Sequence, residues 1–280
     1  MRRVAIWVLE NCNNESFLRL TKRDYRKFMI YCQDEWNMSA ARCNRILSAV
    51  HMLDMAMEDE DLYEDYERNA SEKIKGVPKD AVREITFIPD EEIKMLYDKL
   101  MKEERYKEAT LLAILYDSGV RRNEILQVKR TDIADDKNST DTVVVGKRGK
   151  KFKVLYFSRT KEAFKKYEAT RTDDNEMLFV NSENRPATAG NIYEWIKKWG
   201  EELTELTGKD YTRLSPHSWR HCYVNNILDG SHYLCKEMNL RAVPLEKIKT
   251  LVHHSSSQTT LSYAQNNEDK DIEDLFGITL

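Results

Sequence analysis

A histidine followed three residues later by an arginine, in SPHSWRH at 215 to 221, is where the residue types of this chain first suggest chemistry. Serine then proline is a common helix opening, with Ser215 as N-cap and Pro216 at the first helical position. His217 then falls in the first turn and Arg220 one turn on, on the same face. The free amides and dipole of a helix N-terminus attract anions, so a histidine and an arginine added there build a phosphate site. A second candidate is DSGVRRNEIL at 117 to 126, where two arginines follow a glycine and precede a new helix. An arginine there, fixed by Glu124, would present its planar fork to a phosphate. In a third, HHSSSQTTLSYAQ at 253 to 265, two histidines and a serine and threonine cluster lead into a helix carrying Tyr263. Each alone has an ordinary explanation: a surface histidine at a helix start, a solvated arginine, one structural tyrosine among fourteen.

Their order is more specific than any one of them. GVRRNE, a β-hairpin containing lysine, HxxR, then a histidine followed nine residues later by a tyrosine near the C-terminus together resemble the tyrosine recombinase family, the phage integrase and Xer-type enzymes. The resemblance runs from about Phe17 to Tyr263. It implies Arg121 as the first catalytic arginine, with Glu124 as its companion and Arg122 left out. It implies Lys147, after Gly146 in a GK turn, as the catalytic lysine, with Lys150 and Lys151 close enough to compete. The HxxR pair matches His217 and Arg220, and His221 resembles a structural histidine. The histidine nine residues before the nucleophile matches His254 rather than His253, which makes Tyr263 the nucleophile. Two departures stand out. The segment between Arg220 and His254 is longer than usual, with DGSHYLCKEMNLRAVPLEK holding the insertion, and Val252 and His253 stand where leucine and glycine are common.

What the resemblance implies is a site-specific DNA recombinase that cleaves and rejoins strands through a 3′-phosphotyrosine intermediate, with no cofactor, no ATP and no metal. The sequence has neither a GxxxxGK[ST] loop nor the tight carboxylate cluster of a two-metal nuclease. A tyrosine hydroxyl, with a reference pKa of about 10, is a poor nucleophile unless cations favour the phenolate. Arg121 and Arg220 would supply that field and grip the non-bridging oxygens as charge concentrates in the transition state. His217 and His254 would add hydrogen bonds and move protons, and Lys147 would protonate the departing 5′ oxygen. Two readings compete: a type IB topoisomerase-like enzyme that rejoins the original strand, and a DNA-binding protein on this scaffold that does not cut. Size and a two-domain layout favour the recombinase over the first, and the six filled positions favour it over the second. Whether the host is a phage, another mobile element or a chromosome stays open.

The elements that must position these residues are mostly helical. Residues 17 to 57 show apolar spacing of three and four, with Thr21 and Ser39 suited to start helices. MRRVAIWVLENC lacks a small-residue cleavage site and meets Glu10 early, so it reads as a first helix rather than a signal peptide. Residues 1 to 75 are therefore expected as a small all-helical domain, and the breakers Gly76 and Pro78 open a linker at 76 to 87; the resemblance implies that the first is a helical core-type DNA-binding domain and that 88 to 280 form an α+β catalytic domain. Within the latter, helices are expected at PDEEIKMLYDKL, at ATLLAILYDSG and across RRNEILQVKRTDI. ADDKNSTD reads as a polar loop, TVVVGKRGKKFKVLYF as a hairpin, and the rest from about Thr160 as mostly helix. Trp195 and Trp199, at i and i+4, are expected in the core.

Composition sets limits on partners. The chain has 280 residues, 41% apolar and 33% charged, enough for two modest cores and without a membrane-length apolar run. Five cysteines with no CxxC pair indicate neither a disulfide framework nor a zinc site, and fit a reducing cytosol. A formal net charge of −3 argues at first against DNA, whose phosphates draw lysine and arginine. Residues 54 to 67 and 268 to 274 contribute −8 and −4 of it, so the rest of the chain carries +9. The first acidic stretch reads as a solvated helix face kept away from double-stranded DNA. Assembly as a homo-tetramer on two DNA sites is implied by the resemblance, and the tail LFGITL docks either on its own domain or on a neighbouring subunit.

Overall fold

The computed structural model describes residues 2–12, 19–59, 70–72, 74–78, 86–240, 243, 247–248 and 251, and the chain divides into two compact units, 1–84 and 85–280. In the first, three helices are described: α1 (Arg2–Asn11), α2 (Lys22–Asp34) and α3 (Ala40–Asp59). α2 opens where a threonine meets an aspartate three residues on, the Thr21 amide and hydroxyl both donating to Asp24. Val4, Trp7 and Val8 of α1 pack with Phe28 and Cys32 of α2 and Cys43 and Val50 of α3, the rings of Trp7 and Phe28 5.2 Å apart. The Asn44 side chain pairs with both backbone groups of Val77, which ties residues 76–78 to this unit. Of the acidic stretch, residues 60 to 67 lie outside the described residues.

The second unit is built around α5. α4 (Asp90–Lys102) starts with three acids and ends with Lys99 and Lys102, the charge order a helix dipole favours. α5 (Tyr106–Ser118) is buried over every residue from Ala109 to Ser118, which its near-continuous apolar sequence makes possible. It packs against α4, α7 (Ser158–Thr170) and α9 (Pro216–Leu228), and α8 (Ala189–Thr207) closes the core with Trp199 edge-on to Trp219. Trp199 is fully buried and Trp195 partly so, as expected of that pair. Among the described residues the fold is mostly helical with one two-stranded antiparallel sheet, β1 (Ser139–Val145) and β2 (Lys151–Leu155). No helix among the described residues is long and apolar enough to cross a membrane.

Three local expectations change. The helix expected across RRNEILQVKRTDI is only α6 (Arg122–Ile125), followed by a tight turn at Arg130–Asp132. Its backbone is claimed elsewhere, for Arg130 N donates to Glu176 O and Leu178 N to Val128 O, both at 2.9 Å. Part of the expected loop ADDKNSTD belongs to β1, because the Thr140 hydroxyl is buried and accepts from Val154 N, standing in for a backbone acceptor where the strand register shifts. Residues 171–188, expected as largely helical, contain no helix.

After α9, residues 232–235 are packed into the core, whereas 236–240 are exposed. His232 and Tyr233 are buried beside α5, with α10 (Tyr233–Glu237) following. His232 Nδ1 accepts from Leu234 N and Nε2 faces the Tyr116 carbonyl, so the ring is the neutral Nε2–H tautomer, and burial pushes its pKa down to about 3. Asp117, at the end of α5, accepts from Thr160 Oγ1, Phe157 N and the Tyr233 hydroxyl, and so joins α5, α7 and α10 at one carboxylate.

Burial raises the Asp117 pKa from 3.8 to about 6, outweighing those hydrogen bonds. The folded state therefore holds this proton more tightly than the unfolded chain. Its stabilising effect is present below about pH 4 and is lost as pH rises through about 6. Asp117→Asn has the same shape and no charge. Urea midpoints of wild type relative to this variant should fall between about pH 4 and about pH 6, and a pH-independent difference would refute the assignment.

Candidate active site

The site begins where α5 stops. Gly119 takes φ +58, ψ 22, a left-handed conformation open to glycine at little cost. A Cβ there would stand 2.5 Å from the Tyr223 ring on α9, so the chain also needs the missing side chain for close packing. The Gly119 carbonyl accepts from Nη1 of Arg220 at 2.6 Å, and Arg220 is only 2% exposed. Two residues later Arg121 precedes α6, and Glu124 takes both its backbone N–H, at 2.8 Å, and its Nη1, at 3.0 Å. The Glu124 side chain is 3% exposed and that of Arg121 32%. The buried carboxylate therefore orients a guanidinium that still reaches solvent.

The hairpin turn meets the same carboxylate. At Gly146 an added Cβ would lie 2.7 Å from Glu124 Oε1 and 2.9 Å from Phe152. Only glycine lets the turn settle that close, and Lys147 follows directly. The turn is compact: Gly146 N donates to Lys150 O, Gly149 N to Gly146 O, and Arg148 and Gly149 have positive φ. From the other side comes α9, with Ser215 as N-cap and Pro216 in the first turn, the Ser215 amide donating to the Ser218 hydroxyl.

These elements enclose an open cleft of about 650 Å³ whose lining includes Arg121, Glu124, Gly146, Lys147, His217 and Arg220. Residues separated by up to 99 positions in sequence thus share one surface, a surplus of cations with one buried carboxylate behind them. Of the three neighbouring lysines, Lys147 lines the cleft. Arg122, left out of the sequence assignment, lines it as well, as does Tyr193 of α8, which no sequence signal singled out. Gly119 was legible only as a helix stop, and its carbonyl's role needed the crossing of α9. His254, Tyr263 and the tail LFGITL lie outside the described residues.

Burial, then Arg220 and Arg121, hold the His217 pKa below its ordinary 6.5, so the ring is neutral at pH 7. Its ring stands edge-on to that of His221, 4.4 Å between centroids. The cleft is thus suited to a phosphate diester: arginines for the non-bridging oxygens, a lysine ammonium, a neutral imidazole and a helix N-terminus.

Replacing Gly119 with alanine imposes the left-handed conformation on a residue with a Cβ and drives that Cβ into Tyr223. We expect a loss of about 2–4 kcal/mol in urea unfolding. A variant as stable as wild type would show that α5 and α9 do not meet there.

The phage integrase family model matches residues 86–270. The tyrosine recombinase XerA of Pyrococcus furiosus is 27% identical over 209 residues, covering 74% of this chain and 64% of that protein, so the chain spans less than two thirds of this relative's length. The SPbeta prophage-derived recombinase-like protein YomM of Bacillus subtilis is 22% identical over 94% of this chain and 79% of its own. Among solved structures, the Tn1549 transposon integrase in complex with circular intermediate DNA superposes with a TM-score of 0.69 at 13% identity, over 94% of this chain and 87% of that one, a likeness of fold. The family match covers well over half of the sequence and includes the whole cleft: the chain belongs to the phage integrase family.

Proposed function

We propose that this chain is a site-specific DNA recombinase that cuts and rejoins duplex DNA through a 3′-phosphotyrosine intermediate formed on Tyr263. The observation that carries the reading is the convergence of Arg121, Lys147, His217 and Arg220 on one cleft. Family membership and the DNA-bound Tn1549 integrase support it.

In this mechanism the Tyr263 oxygen attacks the scissile phosphorus and the bond to the 5′ oxygen breaks. Arg121 and Arg220 hold the non-bridging oxygens, where negative charge concentrates in the five-coordinate transition state. Arg220 is buried and already bonded to Gly119, so it enters the reaction in place and with little reorganisation. Arg121 is held equally by Glu124. Lys147 gives its proton to the departing 5′ oxygen. His217, neutral before DNA binds, hydrogen-bonds the phosphate, and His254 takes up the tyrosine proton. A 5′ hydroxyl from the partner strand then attacks the phosphotyrosine and the steps reverse. Bond energy is conserved in the ester, so rejoining needs no external energy source. Assembly as a homo-tetramer on two sites, with the C-terminal tail on a neighbouring subunit, belongs to the same proposal.

The test is covalent trapping on a nicked suicide duplex carrying the cognate site, recovered by binding selection from a randomised library. A covalent protein–DNA adduct is expected from wild type and none from Tyr263→Phe; an adduct that survives this substitution would sink the assignment. Strand exchange between two such sites distinguishes recombination from rejoining of the original strand. In NMR, the His217 pKa should rise when DNA brings a phosphate beside it, and an unchanged titration would remove His217 from the phosphate site.

A further inference from the structure

We propose that Gln127 is a positioning residue for Lys147, tethering the hairpin turn to the segment that carries Arg121 and Glu124; the chemical consequence rests on the recombinase reading above. Both donors of the Gln127 amide and its carbonyl oxygen are engaged. Its Nε2 donates to Val145 O at 3.0 Å and to Asn123 O at 2.9 Å, and its Oε1 accepts from Val145 N at 2.8 Å. Partners that can only donate or only accept leave one orientation of the amide. Both backbone groups of Val145 are thus paired on the side facing away from β2, as if the side chain were one residue of a third strand.

The position of this clamp gives it its importance. Val145 is the last residue of β1, two before Lys147. Its own side chain is 47% exposed, and the Lys147–Gly149 turn has no buried residue, so neither anchors the turn by packing. A lone two-stranded hairpin is marginal in water, and the outer edge of β1 is held instead by side chains of the preceding segment: Asp132 accepts from Thr142 N, and Gln127 takes Val145. Gln127 is the member of that pair next to the cleft. Three residues before it, Glu124 fixes Arg121 and fills the space beside Gly146. One short segment therefore sets the phosphate-facing arginine and, through Gln127, the lysine. Asparagine, one methylene shorter, would not keep both bonds to Val145 from the same backbone position.

Gln127→Met preserves shape and removes all three hydrogen bonds. Hydrogen exchange at the Val145 amide should accelerate by about tenfold or more in this variant, since its acceptor is gone. Cleavage of a suicide duplex with the ordinary 5′ oxygen should fall by about 10- to 100-fold. With a bridging 5′ sulfur, a leaving group that needs no proton, the rate should return to within a few fold of wild type, as it should for Lys147→Ala. Lys147→Ala added to Gln127→Met should cost no more than Lys147→Ala alone. Unchanged exchange at Val145, equal losses on both substrates, or additive losses would each overturn the proposal. A wild-type chain that cleaves neither substrate would instead overturn the recombinase reading and with it the chemical half of this one, while exchange at Val145 still decides the tether.

Discussion

The guanidinium of Arg220, almost wholly removed from water, must have partners inside the protein, and one of them is the carbonyl at the left-handed end of α5. A buried arginine left unpaired is costly, so this contact allows α5 and α9 little freedom to slide. Gly119 serves it twice. Its conformation turns the chain out of the helix, and its missing side chain leaves room for Tyr223. Arg121 lies two residues downstream and inherits its position from the same turn. The two arginines that face a phosphate in the proposed reaction are thus coupled through a single backbone carbonyl.

Behind this contact lies a layer of buried polar groups that fastens the end of α5. Asp117 gathers α7 and α10, Asp90 accepts from the Tyr116 hydroxyl and the Tyr233 amide, and His232 stacks on Tyr116 at 4.0 Å. Such networks are favourable only when each member is satisfied, and here each named group has its partner. Tyr233 and His232 come from the stretch that reads in sequence as an insertion between Arg220 and His254. In the fold these two residues brace the α5 terminus, His232 at Tyr116 and Tyr233 at Asp117.

Much of this architecture was legible in the residues. Ser215 and Pro216 announced the start of α9, Gly119 the end of α5, and GKRGK the turn, because caps, left-handed glycines and turn residues act locally. α6 was overread: Ile125, Leu126 and Val128 have helical spacing, yet residues 176 to 178 capture the backbone after Ile125. Ser139–Asp141 were underread as loop because the Thr140 hydroxyl replaces a backbone partner that no pattern of apolar residues reveals. Both misreadings arise where a distant segment, or a side chain, does the work of local backbone pairing.

By itself the sequence determined which residue types were available for chemistry, their order, and the local signals that start and stop the elements bearing them. Its resemblance to the family narrowed the proposed lysine to Lys147 and two neighbours in one hairpin. Tertiary structure decided the rest: that Lys147 lines the cleft with Arg121, His217 and Arg220, that Arg122 and Tyr193 share its wall, and that Glu124 and Gln127 hold arginine and hairpin from adjacent turns of chain. The physical reason is separation. Caps and turns are interactions between residues a few positions apart, whereas a charge is oriented by whatever the fold brings within about 3 Å of it, and for Arg220 that partner lies 101 residues away.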